Sequence, residues 1–200
     1  MNGYFGNAGI FLVQVVLGIY ILMVMLRFLF QVVRADFYNP ISQAILKITN
    51  PPLKPLRRLV PGLFGIDLAS VLLLIALQSL ELFLSGSPGD RIQGILHGVA
   101  LKPLGVLIYA IPQLIQLSVY IFIFSLIIQI IISWINPQSA YNNPAFTLMH
   151  NLTDPLLRPA KRILPPMGGL DLSPIVVIVG LQLALFLIVA PLKDLARSLL

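Results

Sequence analysis

Four long apolar runs alternate with short polar segments along this chain. The runs extend from Ile10 to Val33, Leu68 to Leu84, Gln116 to Trp134 and Leu172 to Ala190. A transmembrane helix needs about 20 consecutive, predominantly apolar residues. The pattern therefore predicts an all-α integral membrane protein with four transmembrane helices.

The polar segment after the first run carries two helix start signals. Asn39-Pro40 and Asn50-Pro51 each place an N-cap residue before a proline, which is favoured in the first helical turn. Leu53, Leu56 and Leu59 follow at helical spacing, with basic residues between them. Such an amphipathic segment is typical of a helix that lies in the membrane interface. We therefore predict two short interfacial helices between the first two spans.

The same arrangement occurs again in the second half of the chain. The run from Thr49 to Pro61 aligns without a gap with the run from Thr153 to Pro165, at a constant offset of 104 residues. Asp67 and Asp171 are related by the same offset, and each is predicted to cap the span that follows it. Such an ungapped match among proline, glycine and charged residues indicates a duplicated module. The predicted modules are residues 1–90 and 91–200, arranged as two pseudo-symmetric repeats.

The connection between the modules is ambiguous. Ile92 to Pro112 is apolar, but His97, Lys102 and Pro103 interrupt it. We interpret this stretch as an interfacial or partly inserted helix that ends at Pro112, before the third span. The alternative is a fifth span, which would invert one module relative to the other.

Composition and charge support a membrane protein and orient it. Charged residues make up 10% of the chain and hydrophobic residues 58%, whereas a soluble domain has about 25% charged residues. The 13 basic and 7 acidic residues give a net charge of +6, and the cations concentrate in the two polar segments. The positive-inside rule then places both basic loops in the cytoplasm and both termini in the periplasm. Nucleic acid is not an expected partner, because no aromatic residues alternate with these cations to form a stacking platform.

The doubled motif carries a family resemblance. It rests on Tyr38-Asn39-Pro40, on the runs 49–61 and 154–174, and on Gly65-Ile66-Asp67. These residues are similar to those of the YggT family of bacterial membrane proteins, which is called YlmG in Gram-positive bacteria and plastids. The resemblance implies a multi-pass protein of the bacterial inner membrane, with a duplication of the proteobacterial type. Members of the family are linked to osmotic-stress tolerance and ion uptake, to the division region and nucleoid distribution, and in plastids to cytochrome b6 maturation.

The basic residues of the two motif copies are the strongest candidate for an interaction surface. They are Lys54, Arg57, Arg58, Arg158, Lys161 and Arg162. Each basic residue near an anionic membrane contributes about 1 kcal/mol of attraction. The surface is therefore expected to bind anionic lipid headgroups, to dock a membrane-protein or cytoplasmic partner, or to do both.

Polar side chains within the apolar runs are a second class of candidates. Gln78, Gln129 and Gln182 are expected either to hydrogen-bond between helices or to line a polar path. Glu81 is interpreted as an anchor at the membrane interface, with ion coordination as the alternative.

Arg27 is a charge near the inner end of the first span. Its side chain is long enough to reach the interface, so we expect it to snorkel or to pair with Asp36 or Asp67. A transport site is the alternative, because intramembrane charges are often functional.

The sequence lacks the residue groupings that catalysis and cofactor binding require. There is no cysteine, His97 and His150 are isolated, and no metal-ligand or phosphate-loop spacing occurs. We therefore expect a non-enzymatic protein without a cofactor, acting as a scaffold or assembly factor that supports envelope function under osmotic stress. The alternative is a component of potassium or sodium uptake, which needs polar groups that converge within the membrane.

Overall fold

Long helices make up nearly all of the described chain. The computed structural model describes residues 3–62, 65–85, 103–135, 143–163 and 171–198. In these ranges there is no β-strand, as the all-α prediction requires. The helices are α1 (Gly3–Val32), α2 (Pro40–Leu59), α3 (Leu68–Ser85), α4 (Pro103–Ile135), α5 (Pro144–Ile163), α6 (Ser173–Ala184) and α7 (Ala190–Ser198). The predicted boundary between the modules, at residues 90 and 91, lies outside the described residues.

Three candidate membrane spans are present in the described part of the chain. Ala8–Val32 and Gly105–Ile132 lie within α1 and α4, and Ser173–Ser198 comprises α6, α7 and the segment that joins them. These helices support the prediction of a membrane protein. The apolar helix Leu68–Leu84 is shorter. With 18 residues, α3 is about 27 Å long, slightly less than the roughly 30 Å of a hydrocarbon core.

The first basic segment forms one helix, and the prediction of two short helices is wrong. α2 continues from Pro40 to Leu59 through Pro51, Pro52 and Pro55. A proline inside a helix leaves the carbonyl four residues earlier without its donor. Here those carbonyls belong to Lys47, Ile48 and Pro51, which are all exposed, so water or lipid headgroups can satisfy them. α5 is likewise a single helix, with Pro155 and Pro159 inside it.

Pro112 also fails to end a helix where a break was predicted. α4 runs unbroken from Pro103 to Ile135, so residues 103–112 belong to the third span rather than to a separate interfacial or spanning helix. A single proline is tolerated in a spanning helix because neighbouring residues satisfy the freed carbonyl. The rest of the ambiguous stretch, residues 92–102, is outside the described ranges.

The last helix extends beyond the predicted span. The π-helical segment Leu185–Val189 joins α6 directly to α7, so the helix continues past the predicted end at Ala190 to Ser198. A π segment inserts extra backbone into a helix without ending it.

Packing centres on α1 and α3. α1 packs most extensively against α3 and also contacts α2, α4 and α5, whereas α6 contacts α4 and α5. Val24 of α1, Leu53 of α2 and Leu74 of α3 lie almost fully buried in the shared core. Four apolar side chains of α6 are exposed, those of Ile175, Val176, Val179 and Leu183, as expected for a helix at the edge of a membrane bundle.

Candidate functional site

The two basic segments lie on α2 and α5, which contact each other at one end of the bundle. α2 begins directly after the predicted Asn39, and α5 begins directly after Asn143, which stands 104 residues later. Asn39 Oδ1 accepts a hydrogen bond from the Ile41 N–H at 2.9 Å, and Asn143 Oδ1 accepts one from the Ala145 N–H at 2.9 Å. Asn39 Nδ2 also donates to the carbonyl oxygen of Pro144 at 2.8 Å, so this residue joins the two helices as well as capping one.

A fully buried threonine ties each basic helix to the long helix before it. Thr49 Oγ1 accepts a hydrogen bond from Arg27 Nη1 at 2.8 Å. Thr153 Oγ1 accepts one from Gln129 Nε2 at 2.6 Å. The two threonines occupy the same position in the two motif copies. Sequence reasoning assigned them no role, although a threonine retained in both copies was the available signal.

Two of the six predicted surface cations form ion pairs with the aspartates that precede the next spans. Arg57 Nε donates to Asp67 Oδ2 at 3.1 Å, and Arg57 Nη2 contacts the same oxygen. Lys161 Nζ lies 3.3 Å from Asp171 Oδ2. Both cations remain partly exposed while they pair with these aspartates, so their place on the predicted interaction surface stays a prediction.

The same contacts define what the two aspartates do. Asp67 precedes α3 and accepts a hydrogen bond from the Ser70 hydroxyl at 2.6 Å and a longer one from the Ser70 N–H at 3.4 Å. Asp171 accepts from the Ser173 N–H at 2.9 Å, but the N-cap position of α6 is Leu172. Asp171 therefore stabilises the turn before the helix, one residue earlier than a cap.

Both carboxyl groups are held in their ionised form. Burial raises the pKa of Asp67, but the hydrogen bonds from Arg57 and Ser70 and the charge of Arg57 bring that pKa below its ordinary value. Burial also raises the pKa of Asp171, and the hydrogen bonds from Ser173 and Lys161 again bring it below its ordinary value. The ion pairs are therefore formed at neutral pH.

The remaining predicted cations form the exposed basic face of α2 and α5. Lys54, Arg58, Arg158 and Arg162 are all exposed. Arg158 Nη2 lies 2.6 Å from Asp154 Oδ2, one turn earlier in α5. In the described ranges no ion pair involves Lys54, Arg58 or Arg162, so these three side chains are the available cations of the face.

Arg27 lies behind this face and is buried, with 4% of its surface exposed. Its hydrogen-bond partner is Thr49 rather than the predicted Asp36 or Asp67. Arg27, Arg57 and Asp67 nevertheless line one cavity of about 530 Å³, where α1, α2 and the turn before α3 meet. The structure thus brings Arg57 to the same cavity as Arg27 and Asp67, which sequence reasoning did not predict.

A second polar cavity, of about 420 Å³, lies between α1, α3, α4 and α7. Gln78 and Glu81 contribute from α3, with Gln78 Nε2 donating to Glu81 Oε2 at 2.6 Å. From the second half of the chain, Lys193 Nζ donates to Gln113 Oε1 at 3.3 Å. Glu81 therefore lines this polar cavity, about one turn before the end of α3, and its role as an interface anchor stays a prediction.

The three intramembrane glutamines do not converge on one path. Gln78 lines the second cavity, Gln129 bonds to Thr153 beside α5, and Gln182 is exposed on α6. The expected interhelical partner of Gln182 is absent within the described part of the molecule. The reason is the position of its helix, since α6 lies at the edge of the bundle whereas α3 packs against both α1 and α4.

No cluster of metal-ligating side chains occurs among the described residues. His150 stacks on Phe146, with 6.2 Å between the ring centroids, and His97 lies outside the described ranges.

The sequence profile of the CCB3/YggT family matches residues 6–87 and 108–192. The chain belongs to the CCB3/YggT family. The two matched regions contain the two basic helices together with Asp67 and Asp171.

Relatives in this family extend across proteobacteria and red algae. The chain is 42% identical to an uncharacterized protein of Pseudomonas aeruginosa, over 92% of this chain and 89% of that protein. It is 35% identical to the uncharacterized protein YggT of Escherichia coli (strain K12), over 86% of this chain and 84% of that protein. The uncharacterized protein ycf19 of Porphyra purpurea is 32% identical over 31% of this chain and 64% of its own length. No solved structure matches the chain.

Proposed function

We propose that this protein is a non-enzymatic scaffold or assembly factor that works through the exposed basic face of α2 and α5. The observation that carries the proposal is that Lys54, Arg58 and Arg162 are exposed on helices that buried hydrogen bonds fix to the long helices behind them. Cations held at one membrane depth attract anionic headgroups. The face would bind anionic lipid and present a surface on which other membrane proteins assemble, in support of envelope function under osmotic stress.

The same proposal includes a topology. α3 serves as a fourth span, because the chain must return across the membrane between the two basic helices if both lie on one side. Paired contacts at the 104-residue offset support two pseudo-symmetric repeats: Arg57 with Asp67 matches Lys161 with Asp171. The concentration of cations on α2 and α5 favours the cytoplasmic side of the inner membrane, with both termini in the periplasm.

The test removes the three available cations and measures lipid selectivity. Lys54, Arg58 and Arg162 are replaced together by glutamine, and the protein is reconstituted in phosphatidylcholine mixed with brominated phosphatidylglycerol. Trp134, the one tryptophan of the chain, belongs to the last turn of α4, and quenching of its fluorescence is the readout of contact with the brominated lipid. We expect phosphatidylglycerol to be enriched around the wild-type protein and the enrichment to fall markedly in the variant, since about 1 kcal/mol is lost per cation.

A charge-preserving variant is the matched control. Lys54→Arg, Arg58→Lys and Arg162→Lys together should retain the enrichment and restore growth of a deletion strain after osmotic upshift. The glutamine variant should insert in the same orientation and fail to restore growth. Full complementation by that variant would show that these cations serve orientation alone.

The second cavity favours ion uptake as a second candidate function. Gln78, Glu81 and Lys193 surround it between the two halves of the chain, and transporters often place coupling-ion sites at such an interface. Reconstituted protein tested for potassium and sodium flux decides between the functions. A flux that is lost in Gln78→Leu but retained in Gln182→Leu would favour uptake, because Gln78 lines the cavity and Gln182 does not. Absence of flux in the wild-type protein would exclude it.

A further inference from the structure

Arg27 is a buried charge with few partners. A guanidinium carries five N–H donors. The described residues provide one hydrogen-bond acceptor, Thr49 Oγ1 at 2.8 Å, and Arg27 Nε is buried without a partner. Burying a charge without compensation is costly. Such an arginine within an apolar helix therefore calls for a negatively charged group in addition to Asp67, whose charge acts on Arg27 without a hydrogen bond between the two side chains.

The cavity beside Arg27 carries an excess of positive charge. Arg27 and Arg57 line it with one carboxylate, that of Asp67. Asp67 is already engaged by Arg57 and by the Ser70 hydroxyl. One positive charge therefore remains uncompensated at a space of about 530 Å³, large enough for a phosphate group with its substituents.

We propose that this cavity binds one phosphate group, with Arg27 as its principal ligand and Arg57 as a second cation. Arginine suits this ligand because its planar fork matches the phosphate oxygens and forms charge-assisted hydrogen bonds. Arg27 lies five residues before the end of α1, about 8 Å by helical rise, which places the site near the headgroup layer. The phosphate belongs either to a phospholipid headgroup or to free phosphate. The site depends on the membrane location proposed above but not on the exposed cations of the basic face.

The second half of the chain provides a built-in comparison. Ile131 stands 104 residues after Arg27, and the equivalent threonine there binds Gln129 instead. The Lys161–Asp171 ion pair thus occurs without the buried arginine. The site therefore occurs once among the described residues, and the expected stoichiometry is one phosphate group per chain.

The test measures binding to the full-length protein in a non-ionic detergent. Short-chain phosphatidylglycerol and inorganic phosphate are titrated separately, with native mass spectrometry to count bound molecules. Arg27→Gln should weaken binding by about 10- to 100-fold, as expected for the loss of charge-assisted hydrogen bonds. Lys161→Gln, which disrupts the ion pair of the second half, should leave the affinity unchanged.

The two titrations distinguish the sources of the phosphate. Saturable binding of phosphatidylglycerol alone assigns the site to a lipid headgroup, and binding of inorganic phosphate with the same dependence on Arg27 assigns it to the free ion. Either result supports the site. Absence of saturable binding to the wild-type protein, or equal affinity in a folded Arg27→Gln protein, overturns it.

A cavity-filling variant keeps the test valid if Arg27→Gln does not fold. Leu46 lines the cavity without contributing charge, so Leu46→Trp should abolish binding while both arginines remain. A folded Leu46→Trp protein that binds like the wild type would contradict the proposal. If the phosphate site is disproved, the proposal for the basic face still stands. Its test measures lipid enrichment that depends on Lys54, Arg58 and Arg162, and not on Arg27.

Discussion

Equivalent residues in the two halves differ most in how deeply their charges are buried. The Asp67 side chain is 5% exposed and that of Asp171 is 35% exposed. Exposed ion pairs contribute about 0–1 kcal/mol because water screens them. Removing one partner of a buried pair costs more, because it leaves the other charge unpaired. The pair in the first half should therefore contribute more to stability.

Arg57→Gln should lower the free energy of unfolding by about 2 kcal/mol, because Asp67 loses a charged hydrogen-bond donor. Lys161→Gln should lower it by less than about 1 kcal/mol. Thermal unfolding of both variants in the same detergent gives the comparison. Equal losses in the two variants would contradict the difference in burial.

The lowered pKa of Asp67 predicts a loss of stability in acid. Because the folded-state pKa lies below the unfolded value of about 3.9, the contribution is complete above that value and is lost as the pH falls through the folded pKa. The Tm of the wild-type protein should therefore decline below about pH 4. Asp67→Asn should have a lower Tm at neutral pH and a shallower decline, and parallel curves would rule out this carboxyl as a source of the dependence.

At the scale of elements, α2 and α5 begin in the same way but are held differently. Asn39 and Asn143 each accept a hydrogen bond from a first-turn N–H, but Asn39 also donates to the Pro144 carbonyl. Both helices continue through prolines because the freed carbonyls lie mainly on exposed residues. Hydrogen bonds within the first turn therefore start each helix, whereas the Asn39 side chain also links α2 to α5.

Asn39→Ala should destabilise the protein by about 2 kcal/mol, through loss of a cap and of one further hydrogen bond. Asn143→Ala should cost about 1 kcal/mol, because it loses the cap alone. Urea or thermal unfolding in detergent measures both values. A loss from Asn143→Ala as large as that from Asn39→Ala would mean that the Pro144 contact contributes nothing.

At the scale of the whole molecule, the two halves share a motif without sharing the same surroundings. α3 packs against α1 and α4, whereas α6 lies at the edge. Gln78 is buried as a result, and Gln182 is exposed. A repeat can thus preserve its local contacts while its spans take up different positions in the bundle.

The proposed topology predicts the accessibility of single cysteines, which can be introduced cleanly because the chain has none of its own. Arg58→Cys and Arg162→Cys should react with a membrane-impermeant thiol reagent only after the membrane has been permeabilised, because both positions are expected in the cytoplasm. Gly3→Cys and Ser198→Cys should react in intact spheroplasts, because the termini are expected in the periplasm. Labelling of Arg58→Cys and Arg162→Cys from opposite sides would exclude parallel repeats.

The sequence by itself determined the helical class, the membrane character, the family and the start of α2 at Asn39-Pro40, but the second start signal, Asn50-Pro51, lies inside α2. Each depends on neighbouring residues: apolar run length sets a span, an asparagine before proline starts a helix, and the repeated motif identifies the family. Helix ends were less predictable. Pro51 and Pro112 indicate breaks locally, but surrounding structure or solvent satisfies the carbonyls that they free.

Only the tertiary structure decided which polar side chains meet. Arg27 and Thr49 are 22 residues apart, and Gln129 and Thr153 are 24 apart. Arg57 could be expected among the headgroups from its helical position, yet the turn before α3 brings Asp67 against it. Such partners depend on how one helix packs on another, and the spacing within either helix does not encode that. For the same reason, only the tertiary structure showed that Arg27 is buried without a carboxylate hydrogen-bonded to it.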